Sequence, residues 1–259
     1  TAKIVPMLTR GNIQQIVSLR QKKYRKELGL FVAEGQRIVS ELMNSHLAVA
    51  EIYYTSNFEI KLTLDSKVAA TLVSESEMKR ISSLTTPTPV LALVEIPLYS
   101  SEPINPVNQL VLALDSIQDP GNMGTILRLA DWFGIDNIIC SADTADIFSP
   151  KVVQASMGAI ARIKVHYCDL PTQLLAYSKS SPIFGTYLEG ESIYDLPRVE
   201  SGFIVMGNEG NGITPEVGSC VSKKIHIPGF AGDRARVESL NVAMATAIVL
   251  SEFRRKQLL

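Results

Sequence analysis

The chain has 259 residues, 46% of them hydrophobic and 20% charged, with a net charge of −1. That length accommodates about two domains, each able to bury its own core, and no apolar run is long enough to cross a bilayer as a helix. Three widely spaced cysteines, Cys140, Cys168 and Cys220, without a Cys-x-x-Cys pair and with only three histidines, support neither a disulfide framework nor a metal site.

The opening residues, Thr1 to Pro6, lack the apolar stretch of a secretory signal, so a cytoplasmic location is the expectation. Near-zero net charge speaks against a nucleic-acid partner only if the charge is evenly spread, and it is not. Residues 1–40 hold Lys3, Arg10, Arg20, Lys22, Lys23, Arg25, Lys26 and Arg37 against Glu27 and Glu34. A polar helix is predicted over Asn12 to Lys26, then an apolar run Phe31-Val-Ala-Glu34-Gly35 and a helix through Met43. Strands at Glu51–Thr55 and near Thr71–Val73, a helix at Ser76–Ser83 and a strand at Val90–Glu95 complete a compact α/β sandwich. The stretch from Pro97 to Gln109 carries Pro97, Pro103 and Pro106 and cannot continue a helix or a central strand. The boundary lies there, giving domains 1–105 and 106–259.

Behind it, short runs alternate with helical stretches: Leu110–Leu114, Asn137–Cys140, Arg162–His166, Pro182–Thr186, Phe203–Met206 and Lys224–Ile227. Several are apolar throughout, as strands buried on both faces are, and the economical reading is a parallel sheet flanked by helices. Ligands of such sheets bind beyond the carboxyl ends of the strands, and three glycine-rich junctions lie there. The first, Leu114-Asp-Ser-Ile-Gln-Asp119-Pro-Gly-Asn122-Met-Gly124, leads into a helix carrying Arg128. The second, Gly207-Asn-Glu209-Gly-Asn-Gly212, sets one carboxylate among exposed main-chain groups. The third runs from Ile227-Pro228 to Ser239-Leu240-Asn241, where Ser239 is placed to cap the next helix and Asn241 costs helix propensity on its first turn. Taken singly, the first junction also reads as a βα turn followed by a solvated arginine, the second as a tight turn with a surface glutamate, and the third as a capped helix start. A dinucleotide site lacks its third glycine, and no phosphate-binding Gly-x-x-x-x-Gly-Lys-Ser/Thr is present.

Together the three segments resemble the motifs of the SpoU, or TrmH-like, RNA ribose 2′-O-methyltransferases of the SPOUT superfamily, from Leu110 to Arg255. Residues 22–37 are similar to the substrate-binding domain that many members carry, itself like certain RNA-binding ribosomal proteins. The resemblance implies a trefoil knot in the rear domain, S-adenosylmethionine as methyl donor and a homodimer formed through that domain. Carried over by motif, Thr186, Gly207, Gly212, Ile227 and Leu240 hold the cofactor. Asn122, Arg128, Glu209, Ser239 and Asn241 form the reaction centre. Arg10, Lys22, Lys23, Arg25, Lys26 and Arg37 grip RNA, ribosomal in preference to transfer RNA. Between Ile227 and Leu240 the chain is longer than the family spacing. A non-catalytic ribosome-assembly protein is the competing reading, and donor binding separates the two.

Overall fold

The computed structural model describes residues 8–58, 68–99, 103–230 and 239–258, so most of the long third junction, residues 231–238, lies outside the described residues. The chain forms two compact units, one of Thr1–Leu98 with Asp146–Arg162, the other of Tyr99–Ala145 with Ile163–Leu259.

In the first unit the predicted single helix is two, α1 (Arg10–Ser18) and α2 (Lys22–Leu28). Thr9 caps α1 in a reciprocal box with Asn12, and Gly29 ends α2 in the left-handed region at φ 64°. The break occurs because Leu19 is buried and its carbonyl accepts from Arg25 Nη1 at 2.7 Å in place of a helical N–H. A four-stranded sheet follows, built from β1 (Leu30–Glu34), β2 (Val49–Tyr54), β3 (Ala69–Leu72) and β4 (Val90–Glu95) in the order β1-β4-β2-β3. β4 is antiparallel to both its neighbours and β2–β3 is parallel. Helices α3 (Gln36–Met43) and α4 (Glu75–Ile81) complete the sandwich, with Ile16, Leu19, Val32, Tyr53, Met78 and Leu91 in one core. Asp146–Arg162, distant in sequence, builds this unit too. Phe148 packs on Phe31 with ring centroids 4.9 Å apart, Asp146 pairs with Arg25 at 2.7 Å, and Arg162 pairs with Glu41.

The second unit is a six-stranded, all-parallel sheet of β5 (Leu110–Leu114), β6 (Asn137–Cys140), β7 (Lys164–Tyr167), β8 (Ile183–Ser192), β9 (Gly202–Met206) and β10 (Lys223–His226), in the order β10-β8-β9-β5-β6-β7. Its central strands β5 and β9 are buried along their whole length, which is why they read as unbroken apolar runs rather than as alternating ones. On one face Val111, Ala113, Phe203 and Val205 pack with Leu170 and Leu174 of α7 (Leu170–Leu175) and Val217 of α8 (Pro215–Gly218). Helix α5 (Pro120–Trp132) packs on α9 (Val242–Leu258), and Phe253 of α9 meets Phe184 of β8 edge-on at 5.2 Å. Near its end, α9 is tied to the end of α5: Arg254 Nε donates to the Phe133 carbonyl at 2.7 Å and Nη2 to that of Gly134 at 2.6 Å. Those carbonyls have no helical partner, so the guanidinium satisfies two groups that the helix end otherwise leaves open. Among the described residues, no helix is long and apolar enough to cross a membrane.

Candidate active site

The three junctions meet at the carboxyl edge of the second unit's sheet. At the first, Asp119 caps α5, its Oδ1 accepting from the Asn122 N–H at 2.7 Å, with Pro120 in the first helical position where no N–H is needed. This fixes Asn122 on the first turn with its amide facing the other two junctions. Asn122 Nδ2 donates to Glu209 Oε1, and Asn122 Oδ1 accepts from Asn241 Nδ2 at 3.0 Å. One amide therefore bridges residues 87 and 119 positions away in sequence.

Asn241 answers the question its helix-unfriendly position raises. It caps α9, its Oδ1 accepting from the N–H of Ala243 at 3.0 Å and of Met244 at 3.3 Å, so the same side chain caps with its oxygen and reaches Asn122 with its nitrogen. The expectation that Ser239 caps this helix is corrected: the helix begins at Val242, and Ser239 is exposed two residues ahead of the cap. The N-terminal turn of α5 thus meets the Glu209 carboxylate through Asn122, where the helix dipole favours negative charge, and the start of α9 meets Asn122 in turn.

The glycine loop between β9 and α8 closes on itself through Asn208 and Gly212, each N–H donating to the other's carbonyl at 2.9 Å. A Cβ on Gly207 would lie 2.4 Å from the Gly212 carbonyl carbon, so that position requires glycine, and Gly212 sits at φ 71°, a conformation that favours it. Asn208 and Asp115, neither singled out from sequence, hold this loop. Asn208 Oδ1 accepts from the N–H groups of Gly210 and Asn211 at 2.9 and 3.1 Å, and its Nδ2 donates to the Ser116 carbonyl at 2.7 Å. The buried Asp115, at the end of β5, accepts from the Thr214 N–H at 2.7 Å. Each looks in sequence like an ordinary turn residue; an Asx side chain beside a glycine run is the signal that was available for Asn208.

Arg128 does not join the cluster. It is exposed on α5, roughly 9 Å further along the axis than Asn122, and it makes no hydrogen bond or ion pair among the described residues. One turn on, Trp132 is 84% exposed on the same face. Of the expected cofactor residues, Gly207 and Ile227 lie just past the ends of β9 and β10, and Leu240 is exposed next to Asn241. Thr186 opens a bulge in which the partners of β10 jump from Gly185 to Glu191, and its Oγ1 donates to the Val205 carbonyl at 2.9 Å. Main-chain groups around glycines, together with the exposed Leu240 and Phe230, make a neutral, partly apolar donor set. That set fits a nucleoside carrying no phosphate better than a nucleotide.

In the first unit, Arg10, Lys22, Lys23, Lys26 and Arg37 are exposed. Arg25 is not: it is 3% exposed, and its guanidinium is engaged by Asp146 and the Leu19 carbonyl. Its expected place among RNA contacts is therefore corrected to that of a buried structural ion pair.

Residues 109–251 match the SpoU rRNA Methylase family, and residues 11–92 match the MRM3-like substrate binding domain. The chain is 29% identical over 238 residues to the 23S rRNA (guanosine(2553)-2′-O)-methyltransferase RlmP of Bacillus subtilis, covering 91% of this chain and 93% of that protein. Among solved structures, a TrmH-family protein from Porphyromonas gingivalis shares 39% identity at a TM-score of 0.88, covering 97% of this chain and all of that one. An S-adenosylmethionine-bound rRNA methyltransferase from Sinorhizobium meliloti shares 28% identity at a TM-score of 0.86, covering 100% and 99%. A match across more than half its length, on the same segments that build the Asn122–Glu209–Asn241 cluster, places the chain in the SpoU rRNA methylase family.

Proposed function

We infer that this protein transfers a methyl group from S-adenosylmethionine to a ribose 2′-hydroxyl of ribosomal RNA. The observation that carries the reading is the joining of three distant family motifs into one hydrogen-bonded cluster, Glu209–Asn122–Asn241. A non-catalytic RNA-binding protein has no use for that cluster.

When bound, S-adenosylmethionine supplies an electrophilic methyl group on a sulfonium. Main chain near Gly207, Gly212, Ile227 and Leu240, with Thr186 at the bulge, would hold it. The protein's own work is positioning: fixing two reactants in line is worth effective molarities on the order of 10⁵ M. Asn122 and Asn241 orient the target ribose and its phosphate, and Glu209 and Ser239 shape the cleft around it. Arg128 supplies positive charge to the developing alkoxide. A guanidinium keeps its proton, so it acts by electrostatics and not as a base, and the proton of the 2′-hydroxyl leaves to a phosphate oxygen of the RNA or to water as the O–CH3 bond forms.

Residues 1–105 grip the RNA through Arg10, Lys22, Lys23, Lys26 and Arg37, and residues 106–259 carry out the transfer within a trefoil knot of the family type. The working form is a homodimer in the cytoplasm. An open hollow of about 410 Å³ lined by Phe133, Tyr194, Ala247, Ile248, Ser251 and Glu252 adjoins the α5 and α9 surfaces. Trp132 and Met244 are exposed on those same helices, an apolar surface that suits a second copy of the same rear domain. The function is tested by incubating the purified protein with S-adenosylmethionine carrying a labelled methyl group and ribosomal RNA from cells lacking the gene. Label in a 2′-O-methyl nucleotide is expected; no donor binding by calorimetry and no label would overturn the reading.

A further inference from the structure

Beside the cleft, four side chains at the ends of β5 and β6 form a network that the transfer reaction does not use directly. Ser116 sits at φ 59°, a conformation that residues other than glycine rarely adopt, and each of its polar groups is held. Its N–H donates to Ser141 Oγ at 2.8 Å, its Oγ donates to Asp143 Oδ2 at 2.6 Å, and its carbonyl accepts from Asn208 Nδ2 at 2.7 Å. Ser141 Oγ donates in turn to Asp143 Oδ1 at 2.6 Å and lies 3.0 Å from Thr144 Oγ1, which donates to the Leu114 carbonyl at 3.2 Å. A single carboxylate thus fixes two hydroxyls, one from each strand end.

Asn208 is the next link. Besides donating to Ser116, it accepts from the N–H groups of Gly210 and Asn211, the two residues following Glu209. The direction in which Glu209 leaves its loop, and hence its contact with Asn122, depends on where Asn208 is anchored. That anchor is a carbonyl which Asp143 holds in a strained position.

We propose that Asp143, Ser116 and Asn208 are positioning residues for methyl transfer, forming a relay that aims the Glu209 carboxylate at Asn122. This rests on the methyltransferase reading above. The relay acts through the loop that carries Glu209, by contacts within the protein.

Three variants test it. Asp143→Ala removes the acceptor of both hydroxyls, and Asp143→Asn restores one acceptor together with an N–H for the second. Asn208→Asp keeps the loop's two accepted bonds and loses the donation to Ser116. Asp143→Ala and Asn208→Asp are each expected to lower kcat about tenfold, equivalent to about 1.4 kcal/mol, with the KM for S-adenosylmethionine changed less than about threefold. Asp143→Asn is expected to recover most of that loss. In a Glu209→Ala background, Asp143→Ala is expected to have no further effect on kcat, which a merely structural role does not predict. The side-chain amide resonance of Asn122 in isotope-labelled protein gives a reading independent of catalysis and is expected to move in Asp143→Ala. An unmoved resonance, or a kcat loss that persists in full without Glu209, overturns the relay whether or not the wild-type protein transfers methyl groups. Absence of transfer by the wild type overturns the function and leaves this resonance to decide the relay.

Discussion

Asn241 Nδ2 donates to Asn122 Oδ1 at 3.0 Å while Asn241 Oδ1 caps α9, so one side chain joins the start of the last helix to the start of α5. The two roles separate by substitution. Asn241→Asp keeps the capping oxygen and loses the donor; Asn241→Ala loses both. Capping is worth about 1 kcal/mol, which lowers Tm by roughly 2–4 °C in a protein of this size. Asn241→Ala is expected to lose that stability and most turnover, and Asn241→Asp to lose turnover with Tm little changed. Unchanged turnover in Asn241→Asp, with the Tm loss confined to Asn241→Ala when measured by calorimetry, would assign Asn241 to helix capping alone.

Arg128 lies about 9 Å along α5 from Asn122, exposed and unpaired among the described residues. It is therefore free for a substrate and is not needed by the fold. Arg128→Ala is expected to cut kcat roughly 10²-fold, the scale of losing one electrostatic stabiliser, with Tm and donor affinity unchanged. Arg128→Lys keeps the charge but loses the planar fork, so only partial recovery is expected. A parallel loss of donor affinity, read by calorimetry, would reassign Arg128 to the cofactor.

The sheet of the second unit was readable because both-face burial writes itself as runs such as Leu110–Leu114; all six strands occur where runs are expected, although β8 continues to Ser192, six residues past the expected end at Thr186. The split of the first helix was not readable. It depends on the Leu19 carbonyl finding Arg25 and on Arg25 finding Asp146, 121 residues away. A basic run in sequence carries no mark of which guanidinium is buried. In the site, Asn122, Glu209 and Asn241 were legible through their motifs, whereas Asn208, Asp115 and Ser116 act through contacts with main-chain groups, and those leave almost no compositional trace. Ser239 was misjudged as the cap because an Asn two residues later serves equally well.

The burial of Arg25 divides the basic segment into two experiments. Removing Arg25 leaves Asp146 without its ion-pair partner, and breaking a buried pair typically costs about 3–5 kcal/mol. Arg25→Ala is expected to lower Tm sharply. Replacing Lys22, Lys23 and Lys26 by Gln is expected to leave Tm nearly unchanged while weakening RNA binding and flattening its salt slope by about 0.7–0.9 per lost phosphate contact. An unaltered slope in filter-binding titrations would remove the lysines from the RNA-gripping surface.

A fragment of residues 106–259 tests whether the rear segment folds by itself. It retains Asp146–Arg162 without the strand and helices against which Phe148 and Asp146 are packed. It is expected to expose Phe148 and the apolar side of α6 (Pro150–Ser156) and to associate or melt early. Full-length Tm in the fragment, with a monodisperse profile in size-exclusion chromatography, would show that this segment is stable without its partner unit.

Asp143 gives a pH dependence with a definite sign. Hydrogen bonds from Ser116, and then from Ser141, hold its carboxyl below the ordinary value of 3.8, because they favour the charged form. The unfolded chain therefore binds this proton at a higher pH than the folded one, so the stabilisation is fully present above about pH 4 and is lost as pH falls through the lowered folded value. In Asp143→Asn no proton is taken up at this position and that loss is absent. Wild-type Tm, followed by calorimetry from about pH 5 to about pH 2, is expected to fall more steeply than that of the variant, the two curves converging at the acid end. Parallel curves would mean that the Ser116 and Ser141 hydroxyls do not hold the carboxylate in solution, and the anchor of the Glu209 loop would then have to be sought elsewhere.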